Sequence, residues 1–287
     1  MKTLKSKIEV QGIGLMTGVP SVVELCPSDK KGIRFHIADT VLEASPFNIV
    51  STEHCVVLGD FSNIQGYKVA LIEHFMASVA ICGIDALDIV FKNPNFEVAK
   101  MMQNAFEMPI LDGSAKVWVE KFNEAGFVGE EDGTPNLKEP VYYQNEKSAV
   151  ILLPSEYDTK ITYCVSYNHP DLTQRFVTSE NLDDVVEART FGYLKDLDKL
   201  QAAGFSRGVT IDNTVGLKDV GYTTDLRSDL EPAKHKILDI IGDLRLTGVN
   251  PLKAKMNVIV KEAGHFMHVE TAKILKEKLW AKSFHLI

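Results

Sequence analysis

Late in the chain, the run Pro232-Ala-Lys-His235-Lys-Ile-Leu-Asp239-Ile-Ile-Gly-Asp243-Leu244 sets His235, Asp239 and Asp243 four residues apart in a stretch that, Lys234 and Lys236 aside, is apolar. On an α-helix, positions i, i+4 and i+8 lie on one side, so His235, Asp239 and Asp243 form one stripe. Ile237, Leu238, Ile240, Ile241 and Leu244 fill its flanks. Pro232 suits the first helical turn, and Asp229 and Glu231 suit its positive end. Such a helix can satisfy its polar stripe in two ways. The stripe can face solvent, with His and Asp simply paired along it. Alternatively it is buried and its carboxylates are paired or bound to a metal, because an isolated buried charge is costly. An imidazole and a carboxylate one turn apart can reach one zinc ion. The spacing alone leaves both readings open.

Three further pieces have the same double character. Glu73-His74 sits in LIEHFMASVA, among Leu71, Ile72, Phe75, Met76 and Val79. Adjacent helical residues point about 100° apart, so His74 could ligate a metal while Glu73 reaches a metal-activated water. The plain alternative is a core histidine beside a snorkelling glutamate. His265, in Ala263-Gly264-His265, opens the last helix, and a partner such as Asp243 could keep it protonated as a proton donor. His268 is a less favoured substitute for that role. In ARTFG, Thr190 could donate to an oxyanion or could merely cap a following helix. A second Glu-His pair, Glu53-His54, lies in a strand-like run where neighbours face opposite ways, and is read as structural.

The 287 residues are 45% hydrophobic and 24% charged, enough for a sizeable core in one large or two ordinary domains. The net charge of -8 argues against a nucleic-acid partner, which would need a basic face. Cys26, Cys55, Cys82 and Cys164 are scattered without a CxxC pair, which fits a reduced cytoplasmic chain better than a disulfide framework. The basic N-terminus lacks a following apolar segment, and no run is long enough to cross a bilayer. Transient contact with a membrane surface remains compatible with this.

Strand-like segments (KIEVQGIGL, SVVELCP, GIRFHI, HCVVLGD) precede a helix expected over Val69–Cys82. A strand, ALDIVF, the turn PILDGSA and a helix ending near Gly126 follow. Residues 129–140 are polar, acidic and rich in Gly and Pro, and read as a linker. The order then begins again: strands, a helix over GYLKDLDKLQAAGF, a long helix from Pro232, the strand KMNVIVK and a terminal helix from His265. Two α+β domains are expected, residues 1–128 and 141–287, with no sequence repeat between them.

Taken together, these segments resemble the zinc-dependent UDP-3-O-acyl-N-acetylglucosamine deacetylases of lipid A biosynthesis. GIGLMTG, LIEHFMASVAICGID, PILDGSA, YNHP, ARTFGYLKDLDKLQAAG, KHKILDIIGDL and AGH follow that family's motifs in order. The resemblance implies two similar α+β domains with the active site between them, and a UDP-linked acylated amino sugar as the small-molecule substrate. It implies Zn2+ on His74, His235 and Asp239. It further implies Glu73 as general base, His265 as general acid oriented by Asp243, and Thr190 polarising the acetyl carbonyl. Lys236 would meet the diphosphate, and Phe191 would belong to the apolar wall near the acyl chain. Departures occur at Met16, where the family carries histidine, and after AGH, where GHFMHVE replaces an asparagine-containing segment. GFSRGVTIDNTVGLKD and LRSDLEPAKHK depart as well. These bear on substrate detail, above all acyl-chain length, more than on the chemistry. A deacetylase of another N-acetyl sugar and a non-catalytic nucleotide-sugar or lipid binder are the rival readings.

Overall fold

Period-two alternation decides which face of each strand is buried: Ile33, Phe35 and Ile37 enter the core while Arg34 and His36 between them do not. In the computed structural model, which describes residues 1–281, the first half of the chain forms a five-stranded sheet. Its strands are β1 (Ile8–Ile13), β2 (Pro20–Pro27), β3 (Gly32–Ile37), β4 (Thr40–Glu43) and β5 (Ala86–Phe91), in the order β1-β2-β5-β3-β4. Only β3 and β5 run parallel, with Phe35 opposite Ile89. The second half contributes β6 (Val141–Gln144), β7 (Ala149–Pro154), β8 (Lys160–Val165), β9 (Arg175–Thr178) and β10 (Met256–Lys261), in the order β6-β7-β10-β8-β9. Here too only the pairing of β8 with β10 is parallel, Tyr163 lying opposite Val260. Strand for strand, the two sheets share one topology that the sequence does not display as a repeat.

The helices occupy matching places as well. Helix α1 (Glu73–Ile81) lies in the connection from β4 to β5, and α2 (Lys116–Ala125) follows β5. In the second half, α3 (Glu231–Arg245) lies between β9 and β10, and α4 (His265–Ala281) follows β10. Parallel strands require such a crossover, and here it brings α1 and α3 face to face. Eight of the nine residues of α1 are buried. Phe75, Met76 and Val79 enter the core under the first sheet, while Ala77 and Ala80 enter the core under the second. Helix α3 is buried from Glu231 to Arg245 except at Lys234. Its polar stripe is therefore inside the protein, and the solvated reading fails.

Two helix expectations shift. Val69 and Ala70, expected at the start of a helix, belong instead to the strand Lys68–Ala70, which pairs in parallel with Ala105–Glu107. Leu71 then turns with φ +65°, and α1 starts only at Glu73. Likewise Thr190–Tyr193 pairs in parallel with Thr214–Leu217, so the following helix begins at Leu194. Its N-cap is Tyr193 and not Thr190.

Candidate active site

The face-to-face packing of α1 and α3 decides what meets at the centre. His74 on the first turn of α1 meets His235 and Asp239, one turn apart on α3, and one ligand atom from each lies within 4.8 Å of the others. Asp239 Oδ1 is 3.3 Å from His235 Nε2 and 3.9 Å from His74 Nε2. The two imidazoles stand nearly perpendicular with centroids 4.7 Å apart. Burial, then the neighbouring His235 ring, pushes His74 down to about 3, and burial lowers His235 also. Both rings are thus neutral and offer lone pairs. His235 Nδ1 donates to the carbonyl of Ala188 at 2.9 Å, which leaves Nε2 unprotonated and facing the other two groups.

These residues fit a metal ion. Asp239 Oδ1 is buried, aimed between two imidazole nitrogens and has no hydrogen-bond partner among the described residues. A buried, unpartnered carboxylate oxygen is costly, and a cation among two nitrogens and one oxygen would satisfy it. Asp239 Oδ2 accepts from Lys236 Nζ at 2.5 Å. Burial opposes the charge on Asp239, but the Lys236 ammonium holds the carboxyl well below the usual range.

Around this cluster stand two further ionisable groups, Glu73 and His265. Glu73 Oε2 accepts from the amide of Val56 at 3.0 Å, and Oε1 lies 3.8 Å from His265 Nε2. Burial pushes Glu73 up to about 7 against the pull of the His265 charge. His265 Nδ1 lies 2.8 Å from Asp243 Oδ2, and its Nε2 is 3.9 Å from Asp239 Oδ2. Burial disfavours the imidazolium, yet Asp243 and then Asp239 carry it up to about 9. The result is a carboxyl close to neutral-pH ionisation beside a histidine that keeps its proton, the two halves of an acid-base pair.

Thr190 and Phe191 complete the rim. The amide of Thr190 donates to Gly113 O at 2.8 Å, so the PILDGSA turn of the first half fixes a strand of the second. Just before it, Arg189 is locked to Glu231 by its backbone amide at 2.9 Å and its Nε at 2.8 Å. The rings of Phe191 and His235 stand perpendicular, with centroids 6.1 Å apart. A cavity of about 280 Å³ opens onto His74, His235, Asp239, Glu73, His265 and Thr190, with Lys236 and Phe191 also in its wall. It shares Leu15, Thr190, Phe191 and Tyr193 with a larger apolar cavity of about 650 Å³ lined by Leu197, Leu200, Val209 and Ile211. Of the nine residues to which the resemblance assigns a metal, catalytic or substrate role, all but Asp243 line the smaller cavity, whereas His268 does not. Asp243 lies behind His265.

One sequence inference is corrected. Glu53-His54 was read as a strand pair, but residues 53–55 form a bend and His54 has φ +64°. His54 lines both cavities, whereas Glu53 is exposed and lines neither of them. Val56 N–H, Ala188 C=O and Gly113 C=O could not be found from residue type, because every residue carries them. Tyr167 on the cavity wall was missed too, although YNHP contains it.

A family model described as UDP-3-O-acyl N-acetylglycosamine deacetylase matches residues 1–277. The chain is 33% identical over 292 residues to a protein of Leptospira biflexa serovar Patoc named UDP-3-O-acyl-N-acetylglucosamine deacetylase, covering 97% of this chain and 90% of that one. Proteins of the same name from Geotalea uraniireducens and Thermodesulfovibrio yellowstonii are 35% and 32% identical. They cover 87% and 96% of this chain, and 80% and 91% of their own lengths.

Proposed function

The chain belongs to the UDP-3-O-acyl N-acetylglycosamine deacetylase family, and from that premise we propose how its residues carry out the reaction. It is a hydrolytic N-deacetylase that removes the acetyl group of UDP-3-O-acyl-N-acetylglucosamine in lipid A biosynthesis. The observation that carries the mechanism is the convergence of His74, His235 and Asp239, with one Asp239 oxygen buried and unpartnered.

We assign Zn2+ to this site, since two imidazoles and one carboxylate leave a fourth position open, as catalytic zinc requires. When bound, the ion supplies Lewis acidity, lowering the pKa of water and polarising the acetyl carbonyl. Glu73, anchored through Oε2 by Val56, keeps Oε1 free to take the proton of the attacking water. The hydroxyl of Thr190, on the cavity wall, donates to the developing oxyanion. His265 presents Nε2 to the same space and hands its proton to the departing sugar nitrogen. Asp243, bonded to Nδ1, fixes the tautomer that makes this transfer possible.

Substrate placement follows from the two cavities. The O-acyl chain takes the apolar one, entering past Phe191. The diphosphate meets Lys236, whose ammonium is then shared with Asp239. We divide the chain at residues 129–140 and place Glu73 and His74 before the linker, with the remaining groups after it. The four cysteines are unpaired, three of them buried, and no helix of the described residues is long and apolar enough to cross a membrane. A cytoplasmic location agrees with the free thiols.

The test is acetate release from UDP-3-O-acyl-N-acetylglucosamine and from unacylated UDP-N-acetylglucosamine, with elemental analysis of the purified protein. Preference for the acylated sugar and bound zinc are expected. Equal turnover of the two sugars would refute the acyl-groove assignment, and a metal-free active enzyme would refute the mechanism.

A further inference from the structure

Asp243 receives two imidazoles on one oxygen. Its Oδ2 lies 2.8 Å from Nδ1 of His265 and 2.8 Å from Nδ1 of His268, while its Oδ1 is buried with no hydrogen-bond partner among the described residues. A carboxylate only accepts, so both rings must carry their hydrogen on Nδ1. His268 belongs to the first turn of α4, is 0% exposed and does not line the catalytic cavity. Its own Nε2, left as an acceptor, is 2.9 Å from the hydroxyl of Tyr163 on β8, and the single hydrogen of that hydroxyl is shared between this nitrogen and the carbonyl of Ala263 at 2.6 Å. Ala263 stands two residues before His265, in the turn that joins β10 to α4. The contacts therefore close a circuit through Ala263, Tyr163, His268, Asp243 and His265, tying together β8, α3 and both sides of that turn.

We propose that His268 is a positioning residue for the deacetylation, holding the Asp243 carboxylate in the one orientation that presents His265 to the cavity. The inference rests on the general-acid reading of His265. With a single donor on Oδ2, the carboxylate can rotate about its Cβ–Cγ bond and carry His265 with it, since nothing among the described residues holds Oδ1. A second donor on the same oxygen, itself anchored by a buried tyrosine, removes that freedom. Proton transfer is sensitive to such placement, because the donor must come within about 3 Å of the departing nitrogen. His268 touches neither the cavity nor the three metal-directed groups, so its effect should appear in turnover and leave metal uptake alone.

The experiment compares His268→Leu, His268→Asn, Tyr163→Phe and His265→Ala by steady-state kinetics and elemental analysis. The asparagine amide nitrogen occupies nearly the place of Nδ1 and restores the donor to Asp243, whereas leucine fills the space and donates nothing. His268→Leu should lower kcat about 10–100-fold with KM and metal content as in the parent. His268→Asn should regain most of that loss. Parental kcat in the leucine variant, or an asparagine variant no better than it, overturns the proposal. Should the leucine variant fail to fold, Tyr163→Phe decides: kcat down about threefold or more supports the anchored circuit, and parental kcat overturns it. His265→Ala separates the two readings. Full activity there would overturn the general-acid assignment itself, whereas an inactive His265→Ala beside a fully active His268→Leu overturns only the role of His268.

Discussion

The carbonyl of Glu73 and the α-carbon of Gly242 meet where α1 crosses α3: a Cβ on residue 242 would lie 2.0 Å from that oxygen and 3.1 Å from the amide nitrogen of Ala77. Glycine is required here because one backbone lies against another. His74 follows Glu73, and Asp239 and Asp243 stand to either side of Gly242, so this contact sets the spacing of the whole site.

Gly242→Ala tests that spacing. In an exposed helix the change stabilises by about 0.5–1 kcal/mol. At this crossing it should destabilise by about 1–3 kcal/mol, because the helices must part. Thermal denaturation should show a lower Tm, and elemental analysis a lower metal content. A Tm equal to or above that of the parent would mean that the crossing yields freely.

Removing the metal should matter only where its ligands are intact. His235→Ala should bring bound metal down to background. A chelator should lower the Tm of the parent, whose folded state alone holds the ion, and leave that of the variant unchanged. An equal Tm shift in both would place the stabilising ion elsewhere.

Glu73→Gln keeps an oxygen to accept from Val56 and so preserves the local fold. It removes the base, and kcat should fall by about 10²–10⁴-fold with metal content retained. A variant that turns over at the parental rate would dismiss Glu73 from proton transfer.

Asp88 gives a stability test away from the site. Burial would raise its carboxyl, but hydrogen bonds from Arg34, Ser28 and His36 bring it from 3.8 down to about 2. A depressed carboxyl stabilises above its unfolded value, and that contribution fades as pH falls from about 4 to about 2. Since the pair is partly solvated, about 1 kcal/mol is expected. Asp88→Asn should lower Tm at pH 7 and narrow its gap from the parent across that acid window. A gap that stays constant with pH would remove Asp88 from the acid response.

How far the sequence could be read depended on the kind of interaction involved. The four-residue spacing of His235, Asp239 and Asp243 was visible, since helical periodicity is local. Whether the stripe was buried was not, because that depends on α1 arriving from some 160 residues earlier. The shared topology of the sheets escaped notice for the same reason: strand order follows from pairings such as Phe35 with Ile89, not from any local pattern. The strand expectation for Glu53-His54 fails because a left-handed residue in a bend breaks the alternation it assumes. Val69 and Ala70 read as helix because apolar residues look alike in a helix and in a short buried strand.

The groups to which we assign the deacetylation come from both halves of the chain, with Glu73 and His74 on α1 and the rest beyond residue 140. Neither half alone holds a complete set. Were the halves produced as separate polypeptides, each would be inert, and acetate would be released only in proportion to the complexes they form. Turnover measured against dilution would then give the dissociation constant of one half from the other, with the deacetylation serving as its own gauge of assembly.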